Sequence, residues 1–149
     1  MIYSILANWN GSGMNPIDLV ERLRRAVDAR DIEAVVACFA ADYRNETPAH
    51  PGRGFEGPEQ VRTNWTRIFA GLPDISATVV RTAVDGDVVW SEWELGGQRP
   101  DGIQQVLRGV VIFGTTADQF EWARFYLEPV DHGEGGVDAA VGRIVEEER

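Results

Sequence analysis

Residues 120–130 read Phe-Glu-Trp-Ala-Arg-Phe-Tyr-Leu-Glu-Pro-Val, and this run constrains the chain more than any other. Aromatic and β-favouring residues crowd it and Pro129 closes it, so it predicts a strand. Side chains alternate across a strand. Trp122, Arg124, Tyr126 and Glu128 therefore share one face, and Glu121, Ala123, Phe125 and Leu127 share the other. Two aromatics, a cation and a carboxylate on one face suit a cavity wall with polar groups. The plainer alternative is a solvated sheet face with a surface Arg–Glu pair.

The rest of the chain supplies partners for that strand. Asn15-Pro16-Ile17-Asp18 is a helix start, with a capping Asn, a proline in the first turn and an acid at the positive end. Ile17, Val20, Leu23 and Val27 follow at near-helical spacing. Asp31 starts a second, shorter helix with Ile32, Val35, Val36 and Phe39 inward. Residues 43–47 form a short extended piece. Pro58 opens a third helix, with Val61, Trp65, Ile68, Phe69 and Leu72 on one side and Pro73 as its stop.

A meander then follows. Its strands are expected at residues 75–84, 87–95, 103–113 and 120–130, with Asp85-Gly86 as a hairpin turn. Three helices before four antiparallel strands make an α+β domain with the helices on one sheet face. Trp90, Glu92 and Glu94 alternate onto one face and Trp93 onto the other. The first set is expected on the outer face or a dimer seam. The domain is expected over residues 14–130, with residues 1–13 as an extension and 131–149 as an acidic tail carrying a short helix.

Charge and motif content exclude several function classes. The net charge is −10 and all fourteen Lys-or-Arg positions are Arg, which argues against nucleic acid and anionic membranes as partners. Gly52, Gly54 and Gly57 match Gly-x-Gly-x-x-Gly, but Pro48 and Pro51 precede them and no βαβ unit follows, so they read as a sharply turning loop. His50 and His132 lie far apart without zinc-ligand spacing, so no metal is expected. No nucleophile elbow, phosphate loop or cofactor lysine is present, so no cofactor is expected either. Cys38, among Val35, Val36 and Phe39, reads as a buried inert thiol and requires no oxidising compartment. A cytoplasmic location is expected.

The order of these motifs resembles the SnoaL-like branch of the nuclear transport factor 2-like superfamily over roughly residues 16–130. The resemblance rests on the helical hairpin, the Phe39-Ala40-Ala41-Asp42 run, the Pro/Gly loop, the Gly57-Pro58-Glu59 helix start and the meander. Residues 108–113 and 122–130 are the most similar to the family. It implies a cone in which helices wrap a curved antiparallel sheet around a pocket, and a homodimer through the outer sheet face. It also implies a small apolar ligand, with isomerases, cyclases, epoxide hydrolases, dehydratases and non-catalytic binders all among its members.

Residue by residue, the family's catalytic sets do not carry over. Ketosteroid isomerases place a basic aspartate just before a proline, where Thr47 precedes Pro48 here, and a second aspartate where Gly109 stands. Limonene epoxide hydrolases use an Asp-Arg-Asp network, where Leu95, Trp93 and Arg124 stand. No aspartate matches the one in the SnoaL pocket.

The remaining candidates come from the residues themselves. Glu46, His50, Arg124 and Tyr126 are the candidate catalytic groups: a base, a loop imidazole, an anion-binding guanidinium and a phenol donor. Trp65, Trp93, Trp122, Glu128, Leu107 and Val111 are the candidate ligand-binding wall. Each has a structural alternative: Glu46 simply neutralises Arg124, His50 is a solvated loop residue, and Tyr126 and Trp65 are core. With Arg124 inward, a carboxylate must pair it, Glu46 ahead of Glu128. Loss of Glu46 would then destabilise strongly, and Arg124→Met would abolish ligand binding or turnover. The sequence leads to an acid–base isomerase, cyclase or hydratase acting on an apolar carbonyl compound. A non-catalytic binding or dimerisation module is the alternative.

Overall fold

A computed structural model describes residues 13–133 and 135–146. The expected extension, residues 1–13, lies outside the described residues apart from Gly13, and the acidic end of the tail lies outside them from residue 147.

Asn15 accepts from the Ile17 amide and starts helix α1, Pro16–Asp28, which buries Leu19, Val20, Leu23 and Val27. Each such side chain contributes roughly 1.5–3 kcal/mol by leaving water. Asp31 caps α2, Ile32–Ala37, by accepting from the Ala34 amide. The expected inward run ends early: α2 stops before Phe39, which belongs to the next strand, β1, Phe39–Glu46. A single turn of 3-10 helix, Pro51–Arg53, leads to the two-residue strand β2, Phe55–Glu56. Gly57, at φ +87°, turns the chain into α3, Pro58–Gly71.

The meander comprises β3, Ser76–Asp85; β4, Val88–Gln98; β5, Gln104–Thr116; and β6, Gln119–Pro129. A further helix, α4, Val137–Val145, follows and leaves Val137, Val141, Ile144 and Val145 exposed. The strands form one curved, unclosed sheet in the order β2-β1-β6-β5-β4-β3. All pairs are antiparallel except β1 with β6, which is parallel. The extended piece of the sequence is therefore a full strand that carries the sheet beyond the meander. α1 lies against β3, and α2 against α3. Asp28 ties α1 to that edge of the sheet by accepting from the Ala77 amide at 2.7 Å.

Alternation on β4 behaves as expected. Trp93 is 3% exposed on the inner face and Trp90 is 51% exposed on the outer face. Glu92 and Glu94 accompany Trp90 and pair with Arg81 at 2.8 Å and Arg108 at 3.2 Å. Cys38 is fully buried, and burial pushes its thiol up to about 11, so it is an unreactive core residue.

Candidate functional site

The site follows from which side chains the sheet turns inward. On β1, Phe39, Tyr43 and Asn45 are buried, whereas Arg44 and Glu46 face out. On β6, Ala123, Phe125 and Leu127 face in. Phe120 also faces in and stacks on Phe113 at 3.9 Å. Strict alternation from Phe120 would carry Trp122, Arg124, Tyr126 and Glu128 inward with it. It does not, because β6 takes two steps, Trp122 to Phe120, while β5 takes one, Gly114 to Thr115. Glu121 is the extra residue of this β-bulge, and it reverses the parity of everything after it.

The expected cavity wall is thus the outer surface. The residues expected to meet do meet there. Arg124 lies 3.5 Å from Glu46, and their side chains are 44% and 50% exposed. Tyr126, also half-exposed, and Glu46 both raise the Arg124 pKa, Tyr126 through a hydrogen bond. Glu128 lies 3.0 Å from His50 and 3.6 Å from Arg53. Trp122 lies across Gly114, where an added Cβ would sit 1.9 Å from the indole nitrogen. Glu46, Arg124, Tyr126, Trp122 and Glu128 therefore do not line the inner cavity, and the pair strands no buried charge. Solvated pairs contribute little. Glu46→Gln and Arg124→Met are now expected to melt with the parent and to leave binding in the cavity intact. A marked drop in melting temperature for either would return the pair to the interior.

The inner cavity has a volume of about 370 Å3 and lies between α3 and the sheet. Trp65 and Ile68 of α3, Phe55 of β2, Leu95 of β4, Leu107 of β5 and Phe125 and Leu127 of β6 give it an apolar wall. A smaller void of about 30 Å3 shares Trp65, Leu95 and Phe125 and is lined further by Trp93 and Val111. Of the expected wall, Trp65 and Leu107 line the cavity itself, and Trp93 and Val111 line the smaller void. Trp93 presents only its apolar body, since its indole N–H donates to Ser91 Oγ at 2.8 Å.

The polar groups in the cavity are neutral: Tyr43, Asn45, Asn64 and Gln105. The Tyr43 hydroxyl donates to Asn45 Oδ1 at 2.8 Å. Burial pushes the Tyr43 phenol far above its ordinary pKa. No carboxylate, imidazole, guanidinium or thiol lines the cavity among the described residues. Tyr43 and Asn45 are the site residues that sequence reasoning missed. Their signal was the alternation of Tyr43, Asn45 and Thr47 against Arg44 and Glu46. A wider recess at the outer sheet edge, about 750 Å3, is open and lined mostly by charged residues such as Asp42, Arg44 and Glu56. Ligand sites bury most of their ligand in apolar surface, which favours the smaller cavity.

Comparison with known proteins supports the same architecture. The sequence profile of the SnoaL-like domain matches residues 20–124. Among curated protein sequences there is no match. A Catenulispora acidiphila protein with a ketosteroid isomerase-like fold, in complex with trimethylamine, superposes with a TM-score of 0.61 at 20% identity, covering 73% of this chain and 85% of that one. A Mycobacterium tuberculosis protein in complex with estradiol-17β-hemisuccinate gives 0.65 at 22% identity, covering 76% and 94%. An epoxide hydrolase of the limonene epoxide hydrolase-like type from the same organism gives 0.65 at 18%, covering 76% and 82%. At such identities these structures establish the fold alone. With the profile spanning most of the residues that build the cone, the chain belongs to the SnoaL-like domain family.

Proposed function

We propose that this chain binds a small apolar molecule in the cavity between α3 and the sheet, with residues 14–130 as the functional unit. One observation carries the reading: among the described residues the cavity is lined by apolar side chains and by neutral polar groups, with no group that ionises near neutrality. A general base must reach the proton it removes and must titrate near the working pH. Nothing on this wall does both. On this reading the cavity serves recognition of the small molecule. The test is titration of the full chain with tetralin, a neutral bicyclic hydrocarbon, followed by ligand-observed NMR. Saturable one-to-one binding, with loss of affinity in Leu127→Asp, is expected. Absence of binding in the parent, for tetralin and for polar derivatives of the same skeleton, would refute the reading.

A catalytic reading retains one specific support. His50, in the loop after β1, and Glu128 of β6 form a carboxylate–imidazole pair, 3.0 Å apart. Turnover of a cyclic ketone, measured as solvent deuterium exchange beside the carbonyl and abolished in His50→Ala, would favour that reading instead.

We also infer a homodimer through the outer sheet face. Trp90, Val80 and Tyr126 are 51%, 42% and 42% exposed there, amid the Arg81–Glu92 and Arg108–Glu94 pairs. Aromatic surface ringed by paired charges suits a self-complementary interface. Sedimentation at micromolar concentration should give a dimer, and Trp90→Glu a monomer. A monomeric parent would remove the inference.

A further inference from the structure

Among the polar groups of the cavity, Tyr43 and Asn45 are the two that are buried and bonded to each other. Two residues apart on β1, both side chains point inward. Tyr43 is fully buried and Asn45 is 8% exposed. The Tyr43 hydroxyl donates to Asn45 Oδ1, which occupies the amide oxygen. Tyr43 also fixes the amide's orientation. Turned over, the amide would leave the buried phenol hydrogen without its acceptor.

The Asn45 amide nitrogen is therefore aimed elsewhere. Its side chain makes no second hydrogen bond among the described residues. Every fully sealed side-chain nitrogen and oxygen among them does have a partner. The amide nitrogen is thus not a sealed, unpartnered atom, and the space that Asn45 lines is the cavity. The nitrogen is a donor, held in place, in an apolar space with no charge to balance an ion.

We propose that this pair selects the ligand's chemistry: a neutral ring compound bearing a hydrogen-bond acceptor, such as a ketone, lactone or quinone, whose oxygen accepts from Asn45 Nδ2. This rests on the cavity being the ligand site and goes further by naming the group that is read. A carboxylate or ammonium on the same skeleton is excluded, because the cavity offers no counter-charge for the desolvated ion. A bare hydrocarbon is accepted less well, because it displaces solvent from the amide N–H and returns no acceptor. Asn45 touches the ligand. Tyr43 is a positioning residue that acts through it.

The experiment uses one skeleton with four endings: tetralin, 1-tetralone, tetralin-1-carboxylate and 1-aminotetralin, each titrated into the full chain at pH 7. The ketone is expected to bind about tenfold tighter than the hydrocarbon, as one hydrogen bond to a fixed donor gives. The two ions are expected not to bind. The double variant Tyr43→Phe/Asn45→Leu strands no polar group. With no N–H left to desolvate, it should bind tetralin more tightly and erase the preference for the ketone. Tyr43→Phe alone should lower the ratio of ketone to tetralin affinity, whereas a purely structural role for Tyr43 would lower both affinities alike and leave that ratio at the parent value. Equal affinity of the parent for ketone and hydrocarbon overturns this inference and leaves the cavity reading standing. Tighter binding of either ion also overturns it. Failure of all four to bind removes both. The parent measurements decide the matter even if a variant fails to fold.

Discussion

The Phe120→Ala variant is expected to lose about 3–5 kcal/mol of stability, as truncation of a buried aromatic does. Phe120 is fully buried. Its ring stacks on Phe113 of β5 at 3.9 Å and meets Phe39 of β1 at 5.6 Å. These neighbours lie on separate strands held by backbone hydrogen bonds, so they cannot move together to refill the space. The loss would be about a fifth or more of the ~5–15 kcal/mol typical of a whole domain. The measurement is a urea melt, read as a shift in midpoint at unchanged slope. A midpoint equal to the parent's would mean that the three rings do not form the centre of the core.

Gly109→Ala is expected to be comparably damaging, and Gly109→Asp to prevent folding. A Cβ at this position would lie 2.0 Å from the Tyr126 carbonyl oxygen and 2.8 Å from the Leu127 Cα. Both obstacles are backbone, so no side-chain rotation relieves them. The φ of +153° adds strain for any residue with a side chain. Overpacking and backbone strain each cost roughly 1–3 kcal/mol, and here they act together. The variant must open β5 from β6, the two strands that bring Leu107 and Leu127 to the cavity. Gly52→Ala is the control, since nothing lies within 4 Å of an added Cβ there, and it should melt with the parent. Thermal melts of both decide the point. An undisturbed Gly109→Ala melt would be incompatible with this β5–β6 register. Gly109 stands where the resemblance to ketosteroid isomerases would place their second aspartate. That position is closed to any side chain.

These two residues also mark what was legible in the sequence. Local chemistry was legible. Asn15 and Asp31 cap helices because a short polar side chain reaches an amide two or three residues on, which depends on no distant partner. Trp90 and Trp93 separated correctly because β4 alternates without interruption. The Glu46–Arg124 pairing was also legible, since adjacent strands in register bring the two together on whichever face they share. The face itself was not. Glu121 is a bulge residue because of how many residues of β5 oppose β6, and its own chemistry does not announce it. The parallel partnership of β1 with β6 joins segments far apart in the chain. Tyr43 and Asn45 therefore appeared as part of a short extended piece and not as a cavity wall.

That distant partnership has a kinetic side. Each hairpin of the meander closes over a few residues, whereas setting Phe39 beside Phe120 closes a loop of about eighty, at a larger entropic cost. The meander is therefore expected to assemble first, and β1 to dock onto a finished β6 edge. The wall that carries Tyr43 and Asn45 is then the last to arrive and, by the same free-energy ordering, the first to detach. Amide hydrogens of β1 should exchange sooner than those of β5 in the native protein. A ligand held by Asn45 should slow β1 above all, so that the occupied site acts as the latch on the longest-range strand pairing among the described residues.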